Sequence, residues 1–512
     1  MVWRIEDPQG DESAKVKYEI VPYTRGIVLD LGCGPKKTFP HFLGVDSCKD
    51  TELFGIQIKP DVKVDDCADL SDSIEEASVD AVFSSHLLEH IEDYRAALKN
   101  WWSLIKVGGY MVLYLPHKKF YPNIGTHGSN PDHKHDFEPT DIIDAMRDVG
   151  GWDLVKRQDR NEGTEYSFLL VFQKRDDERQ QHPWMSDAFA NRKTACVVRY
   201  GGFGDMLQAS NIFPALKRQG YRVTVMTTPK GQNIIKDDPN VDDWYIQDSD
   251  QVPNNELGAF WEVVAKQYDK FVNLSESVEG TMLALPGRAN HAWPHDVRHA
   301  RMNDNYLEFT AQLAGVPYSS ELKFYPTKEE TEQAKARLLP DGFNVVFALA
   351  GSSHHKFYPG QDSVIARILI EKPDCRIFMV GDDACRLLEQ GWDKEPRVVC
   401  LSGEIGIRDT LALAKYADAV IGCETGVLNA VSFEDNRKVC LLSHSSHENL
   451  TKHWKNTYAM APQGLSCYPC HRLHYTKDYC IEDKETGASM CQRMIDPSEV
   501  FAALVHKEEA AA

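Results

Sequence analysis

The sequence predicts an α/β protein made of three Rossmann-like units, and three observations carry that reading. The stretches GIVLDLGCGP (26–35), TACVVRYGGFGDML (194–207) and FNVVFALAG (343–351) each run a β-branched strand into a turn of small residues. Downstream of each, strand-like segments alternate with helical ones, the βαβ signature of parallel sheets. Between the first and second openings lies KRDDERQQHPWMSDAFANRK (174–193), which is charged, carries proline, lacks a period and reads as a linker. At 512 residues the chain exceeds what one hydrophobic core supports. The expected division is a first domain 1–175, a linker 176–193, and two further α/β units, 194–325 and 326–512.

Composition narrows the class. Hydrophobic residues make up 42% and charged residues 26%, as in ordinary globular proteins. No apolar run approaches the ~20 residues that cross a bilayer. The opening MVWRIEDPQGDESAKVKYE is acidic and polar and lacks the basic-then-apolar order of a signal peptide, so a cytoplasmic location is expected. In a reducing compartment the 13 cysteines are expected as core thiols or metal ligands rather than disulfides. A net charge of −20 favours solubility and disfavours stable nucleic-acid binding, though it leaves room for a local basic groove.

In the first domain, strand IVLDL follows through Asp30 into Gly32-Cys33-Gly34, where missing side chains let a ligand approach the backbone. Asp46 ends the next strand, where a carboxylate can accept both ribose hydroxyls of a nucleoside. Asp66, in KVDDCADLSD, stands at a further strand end within reach of an adenine amino group. Ser84, Ser85 and His86 close a fourth strand, which adds Ser85 to the expected cofactor set. The run LDLGCGP, GVD, DDCADL, VDAVFSSHLLEHIED and LIKVGGYMVLYLPH resembles class I methyltransferases over most of residues 20–175. That resemblance implies S-adenosylmethionine as cofactor, held by Asp30, Gly32, Gly34, Asp46 and Asp66. The basic pair Lys36-Lys37 departs from the family, where a further small residue is common.

A sulfonium carries an already activated methyl group, so alignment of the acceptor supplies most of the rate, with a base only for weak nucleophiles. The segment PDHKHDFE (131–138) offers His133, His135 and Asp136 as base candidates. Its His-x-His spacing also suits a metal, and the plain alternative is a loop packed by its own hydrogen bonds. His86, Glu89 and His90 have helical spacing, with His90 expected to be structural. A methyltransferase fold that only binds or docks remains an alternative, because fold does not establish function.

In the second half, VVRYGGFGDMLQASNIFPALK places Gly204 and Asp205 at the start of a helix. Asp205 reads either as a helix cap or as the general base for a hydroxyl acceptor above the sheet. Strand VVFALAG leads into Ser352, Ser353, His354, His355 and Lys356, where hydroxyls, backbone N–H groups and one lysine suit a diphosphate. RIFMVGDD ends at Gly381-Asp382, and AVIGC ends at Glu424-Thr425-Gly426. There the glycine lets backbone meet phosphate or sugar, Thr425 can donate and Glu424 can accept sugar hydroxyls; the plain alternative is a capped tight turn. Residues 194–503 resemble heptosyltransferase-type glycosyltransferases of the two-Rossmann GT-B fold. The carrying motifs are RYGGFGDMLQASNIFPALK, AGSSHHKFYPG and LSGEIGIRDTLALAKYADAVIGCETGVLNAV.

That resemblance implies a nucleotide-sugar donor, Asp205 as base, Lys356 at the donor phosphate, and Glu424, Thr425 and Gly426 at the donor. The implied reaction inverts the anomeric centre. Glu424 stands where Asp is usual and Asn429 where His often follows, so the donor sugar need not be a heptose. The acceptor is expected to be a glycan, a lipopolysaccharide-like molecule or a protein; a hydroxylated nucleic-acid base is the alternative. Asp248-Ser249-Asp250 is expected as a polar loop of the acceptor half rather than a metal site.

Cys467-x2-Cys470, Cys480 and Cys491 fall within 25 residues of a Pro-, His- and Tyr-rich segment. Four thiolates in a short loop can enclose a structural zinc or iron ion. A resemblance to autotransporter heptosyltransferases, in which four cysteines hold ferric iron near this position, adds to that expectation.

Overall fold

The strand Val28–Leu31 is buried along its whole length, as its unbroken apolar-acidic run VLDL requires of a strand flanked on both sides. The computed structural model describes residues 11–47, 52–53, 56–181, 193–319, 322–351, 353, 356–474 and 480–505. The chain forms two compact units, Met1–Arg192 with Gln247–Tyr268, and Lys193–Ile246 with Asp269–Ala512.

In the first unit, eight strands form one sheet in the order Gln180–Gln181, Trp152–Arg160, Ser167–Lys174, Ile105–Pro116, Val79–Ser85, Val28–Leu31, Leu43–Asp46, Val62–Lys63. Val28–Leu31 pairs in parallel with both Leu43–Asp46 and Val79–Ser85. Ser167–Lys174 runs antiparallel to both of its neighbours. The chain thus winds away from Val28–Leu31 in one direction and returns on its other side at Val79–Ser85, which makes that seam the switch point where open α/β sheets bind ligands. The core packs Trp101, Trp152, Phe168 and Phe172. Both indoles find carbonyls, Trp101 at Cys67 and Trp152 at Met146, each at 2.8 Å, as buried indole N–H groups require.

The second unit carries two all-parallel sheets. One is ordered Asp243–Ile246, Arg222–Thr227, Thr194–Val198, Lys270–Asn273; the other Val398–Cys400, Cys375–Val380, Phe343–Ala348, Ala419–Cys423, Arg437–Leu441, Thr457–Met460. Each reverses beside its first strand, at Lys270–Asn273 and at Ala419–Cys423, so each has its own switch point. One apolar cluster is shared by both sheets, with Val197 and Leu207 from the first and Leu413 and Leu428 from the second. Arg408 adds a polar tie: its guanidinium meets Glu330 and Asp237, both at 2.6 Å, and the carbonyls of Asn233, Ile234 and Tyr325. The protein is therefore of the predicted α/β class, with three mostly parallel Rossmann-like sheets.

Among the described residues no helix is long and apolar enough to cross a membrane. The Asp248-Ser249-Asp250 loop, expected in the acceptor half, folds instead with the first unit, because Asp248 accepts Arg25 Nε and the Gly26 N–H, each at 2.9 Å. Its carboxylate is engaged in an ion pair.

Candidate functional sites

At the switch point of the first unit, Gly32 and Gly34 have φ of 65° and 55°, a backbone that favours glycine. A Cβ on Gly32 would meet Leu87 Cδ1 at 2.9 Å, whereas Gly34 faces open space. The Gly34 N–H donates to Asp46 Oδ2 at 3.0 Å, which holds the acid of the second strand against the glycine turn. Asp30 points inward: it accepts the Thr38 N–H at 2.7 Å, and burial raises its carboxyl to about 6. Asp66 is exposed and accepts the Ala68 N–H at 2.9 Å. Ser84 and Ser85, ending Val79–Ser85, have buried hydroxyls without a hydrogen-bond partner, the kind of group a bound ligand can satisfy.

Past Ser85 the chain turns through His86, whose Nε2 lies 2.9 Å from Ser167 Oγ. Glu89 follows in the short turn Leu88–His90 and is 0% exposed, with neither carboxylate oxygen hydrogen-bonded. Burial raises its carboxyl to about 8. His86 Nδ1 and His133 Nε2 stand 3.7 and 3.9 Å from Glu89 Oε1. The His90 and His133 rings meet edge to face with centroids 4.8 Å apart. The three base candidates of the 131–138 loop therefore separate. His135 Nε2 donates to the carbonyls of Ile91 and Glu92, both at 3.0 Å, and its ring stacks on Phe137. Asp136 accepts the Ile124 N–H at 3.0 Å. These two hold the loop by local hydrogen bonds, while His133 alone of the three joins the Glu89 cluster.

In the second unit the helix Phe203–Ser210 begins at Gly202, whose N–H donates to Asp205 Oδ2 at 2.8 Å. Asp205 Oδ1 lies 2.8 Å from Arg199 Nη2, and the buried Arg199 is fixed in turn by two 3.0 Å bonds to Glu279. The carboxylate both caps the helix and is aimed by a guanidinium. Sequence reasoning missed Arg199, which stands at the end of the strand in VVRYGG. A Cβ on Gly204 would lie 3.0 Å from Asn429 Nδ2 and 3.6 Å from Gly426 Cα. Asn429 Oδ1 accepts from Gln208 Nε2 at 3.2 Å. Two motifs far apart in sequence, GGFGD and ETG, thus meet, and they bring together two helix N-termini with their partial positive charge.

Lys356 is buried and its Nζ donates to the Glu424 carbonyl at 2.7 Å. A Cβ on Gly351 would lie 2.6 Å from Lys356 Cδ, so the small residue at the strand exit makes room for the lysine stem. The Glu424 carboxylate, buried, accepts the N–H groups of Ser443, His444 and Ser445 at 2.7, 3.2 and 3.2 Å and the Ser443 hydroxyl. It therefore orders the turn after Arg437–Leu441, a turn that sequence reasoning passed over although its small hydroxyl residues follow a buried strand. Thr425 Oγ1 is buried without a partner. The Ser353 hydroxyl donates to the His474 carbonyl, and Ser352 lies outside the described residues. A Cβ on Gly381 would meet Cys385 Cβ at 2.4 Å, so this glycine is accounted for by packing against the following turn.

Cys467, Cys470, Cys480 and Cys491 line one cavity of about 30 Å³, together with Arg298, Arg472 and His474. Cys470 Sγ lies 3.9 Å from His474 Nε2. Burial pushes the Cys470 and Cys491 thiols up to about 12. All cysteines among the described residues are free.

Residues 29–113 match the methyltransferase-domain family, a match that spans the switch point of the first unit. No curated protein sequence matches the chain. Among solved structures it is similar to the E. coli ADP-heptose lps heptosyltransferase II, at 13% identity over 61% of this chain and 97% of that one, with a TM-score of 0.42. It is similar to the glycosyl transferase family 9 protein from Veillonella parvula DSM 2008, at 13% identity over 61% and 96%, with a TM-score of 0.45. A SAM-dependent methyltransferase from Archaeoglobus fulgidus matches at 19% identity over 32% and 92%, with a TM-score of 0.25.

Proposed function

We propose that the chain is a bifunctional transferase: the first unit methylates an acceptor from S-adenosylmethionine, and the second transfers a sugar from a nucleotide-sugar to a hydroxyl of a glycan, lipopolysaccharide-like molecule or protein. In this reading 194–325, apart from the 247–268 segment that belongs to the first unit, is the acceptor half and 326–512 the donor half. The observation that carries the second activity is the meeting of Gly204 with Gly426, which joins the turns bearing Asp205 and Thr425 at the edges of two sheets.

Asp205 takes the proton of the acceptor hydroxyl as the anomeric carbon loses its leaving group. Arg199 and the Gly202 N–H hold its two oxygens in one orientation, so little rotational freedom is lost on reaction. Lys356 uses one N–H on the Glu424 carbonyl and has two left for the departing diphosphate. The Thr425 hydroxyl, with Gly204 and Gly426, is assigned to the donor side; Gly381 is taken up by packing on Cys385 and the Ser353 hydroxyl by the His474 carbonyl. Glu424 acts by holding the 443–445 turn rather than by facing solvent.

In the first unit, S-adenosylmethionine supplies an activated methyl group. Gly32 and Gly34 give it close access to backbone, Asp46 accepts ribose hydroxyls, Asp66 stands for the adenine amino group and Ser85, whose buried hydroxyl has no partner, ends the strand beside the switch point. Asp30 orders the turn through Thr38. The four cysteines share one cavity, but no three of their sulfurs lie within 4.8 Å of one another, so a four-thiolate zinc or iron site would need the segment to close further.

The deciding measurement is a thermal-shift panel of nucleotide-sugars on the full chain, followed by transfer assays with the donor that stabilises it. Loss of transfer in Asp205→Asn with donor binding kept supports the assignment. Full transfer by that variant would overturn it.

A further inference from the structure

We propose that Glu89, His90 and His133 form a binding site for a divalent first-row transition-metal ion. Each residue offers one ligand atom, and these atoms all lie within 4.8 Å of one another. Bonds of ~2.0–2.1 Å to a tetrahedral ion put its ligand atoms ~3.3 Å apart, so side-chain rotations that draw the atoms together by up to about 1.5 Å close the shell.

The carboxylate of Glu89 is the strongest pointer. It is 0% exposed and both oxygens lack hydrogen-bond partners, a condition that native proteins resolve with water or an ion. Two imidazole nitrogens, those of His86 and His133, stand 3.7 and 3.9 Å from its Oε1. A cation between Glu89 and the imidazoles supplies the missing charge and uses the ring lone pairs at once.

The surroundings hold the histidines as a ligating shell would. The His90 ring packs edge to face on the His133 ring, with centroids 4.8 Å apart, which keeps the two imidazoles side by side. The loop bearing His133 is pinned to the turn bearing Glu89, since the Lys134 N–H donates to the Glu89 carbonyl at 2.7 Å and the His135 ring donates to the carbonyls of Ile91 and Glu92. His133 and its neighbour two residues on therefore do different work, and the His-x-His spacing is not itself the ligand pair.

One carboxylate and two imidazoles make a nitrogen–oxygen site without thiolate, suited to manganese, iron(II), cobalt or zinc. Three protein ligands leave at least one position for water or another oxygen ligand. This site is distinct in chemistry from the cysteine cavity, which favours softer binding.

The test uses the full chain, stripped with chelator and titrated with Mn2+ alone, with the free ion read by electron paramagnetic resonance. Uptake of about one ion per chain is expected. It should be lost in Glu89→Gln and His133→Ala, and kept in a Cys470→Ser/Cys491→Ser variant. Uptake unchanged by Glu89→Gln, or abolished by the cysteine changes, would overturn the site. If the Glu89 and His133 variants misfold by circular dichroism, Co2+ added to the Cys470→Ser/Cys491→Ser chain decides: visible bands without thiolate charge-transfer absorption support the site. A thiolate-only spectrum, or no bound Co2+, overturns it.

Discussion

A Cβ on Gly426 would stand 3.2 Å from the Gly204 backbone nitrogen and 3.0 Å from Phe203 Cβ, so the two glycine turns of the second unit touch along their backbones. Gly426→Ala forces them apart by a few tenths of an ångström, because neither neighbour is the end of a flexible side chain. Misplacement on the ångström scale costs up to about 10²-fold in rate. We expect a roughly tenfold or larger fall in sugar-transfer kcat/KM with the fold kept, read by steady-state kinetics beside a melting curve. Unchanged kinetics would mean the contact does not set the geometry.

The Arg199–Asp205 pair gives a second expectation. Asp205→Asn should lower kcat by about 10²–10⁴ while leaving donor affinity in place, as loss of a general base does. Arg199→Lys gives up the two-pronged hold on Glu279 and leaves Asp205 less well aimed. It should give a smaller loss, with a kcat effect exceeding any change in KM.

Asp30 predicts a pH dependence. Its folded value of about 6 lies above its ordinary 3.8, so the folded chain holds this proton more tightly than the unfolded one. The stabilisation is complete below about 3.8 and is lost as pH rises through about 6. Asp30→Asn removes that loss and should raise stability at pH 7 by up to about 3 kcal/mol, with little gain at pH 3. Because a neutral amide holds the Thr38 N–H less firmly, the same variant should bind S-adenosylmethionine more weakly. Urea melts at both pH values and calorimetry check the two halves.

Asp46→Ala should weaken S-adenosylmethionine binding in the same calorimetric assay without lowering the melting temperature, since the residue is only partly buried at a strand end. Affinity equal to wild type would remove Asp46 from the ribose site.

Arg408→Met leaves Glu330 and Asp237 facing each other without their shared cation. Removing one partner of a buried network costs about 3–5 kcal/mol. The partial exposure of Asp237 places the expected loss at the low end, about 3 kcal/mol by urea denaturation of the second unit.

Much of this was legible in the sequence. The glycine turns at 32–34, 201–204 and 351 and the strands before them follow from local pattern alone, because a buried parallel strand is an unbroken apolar run. What local pattern does not carry is the direction of a side chain at a strand end. Asp30 and Asp46 both end strands, yet one turns to Thr38 in the interior and the other to the Gly34 N–H. Glu424 reads as a ligand-facing acid, but its partners at 443–445 come from the turn after the next strand and are invisible until the sheet forms. Glu89 and His133 meet only because the 131–138 loop folds back onto the turn at 88–90, and His135, which drew the same expectation from spacing, stacks on Phe137 instead.

Glu424 works as a splice between two lengths of backbone. Its main-chain oxygen holds Lys356, while its side chain holds the turn at 443–445. The aim of the lysine and the shape of that turn therefore cannot drift independently over evolutionary time. A lineage that changed its donor would have to move both together, and exchanging the 443–445 turn alone should disturb the lysine before it altered the choice of sugar.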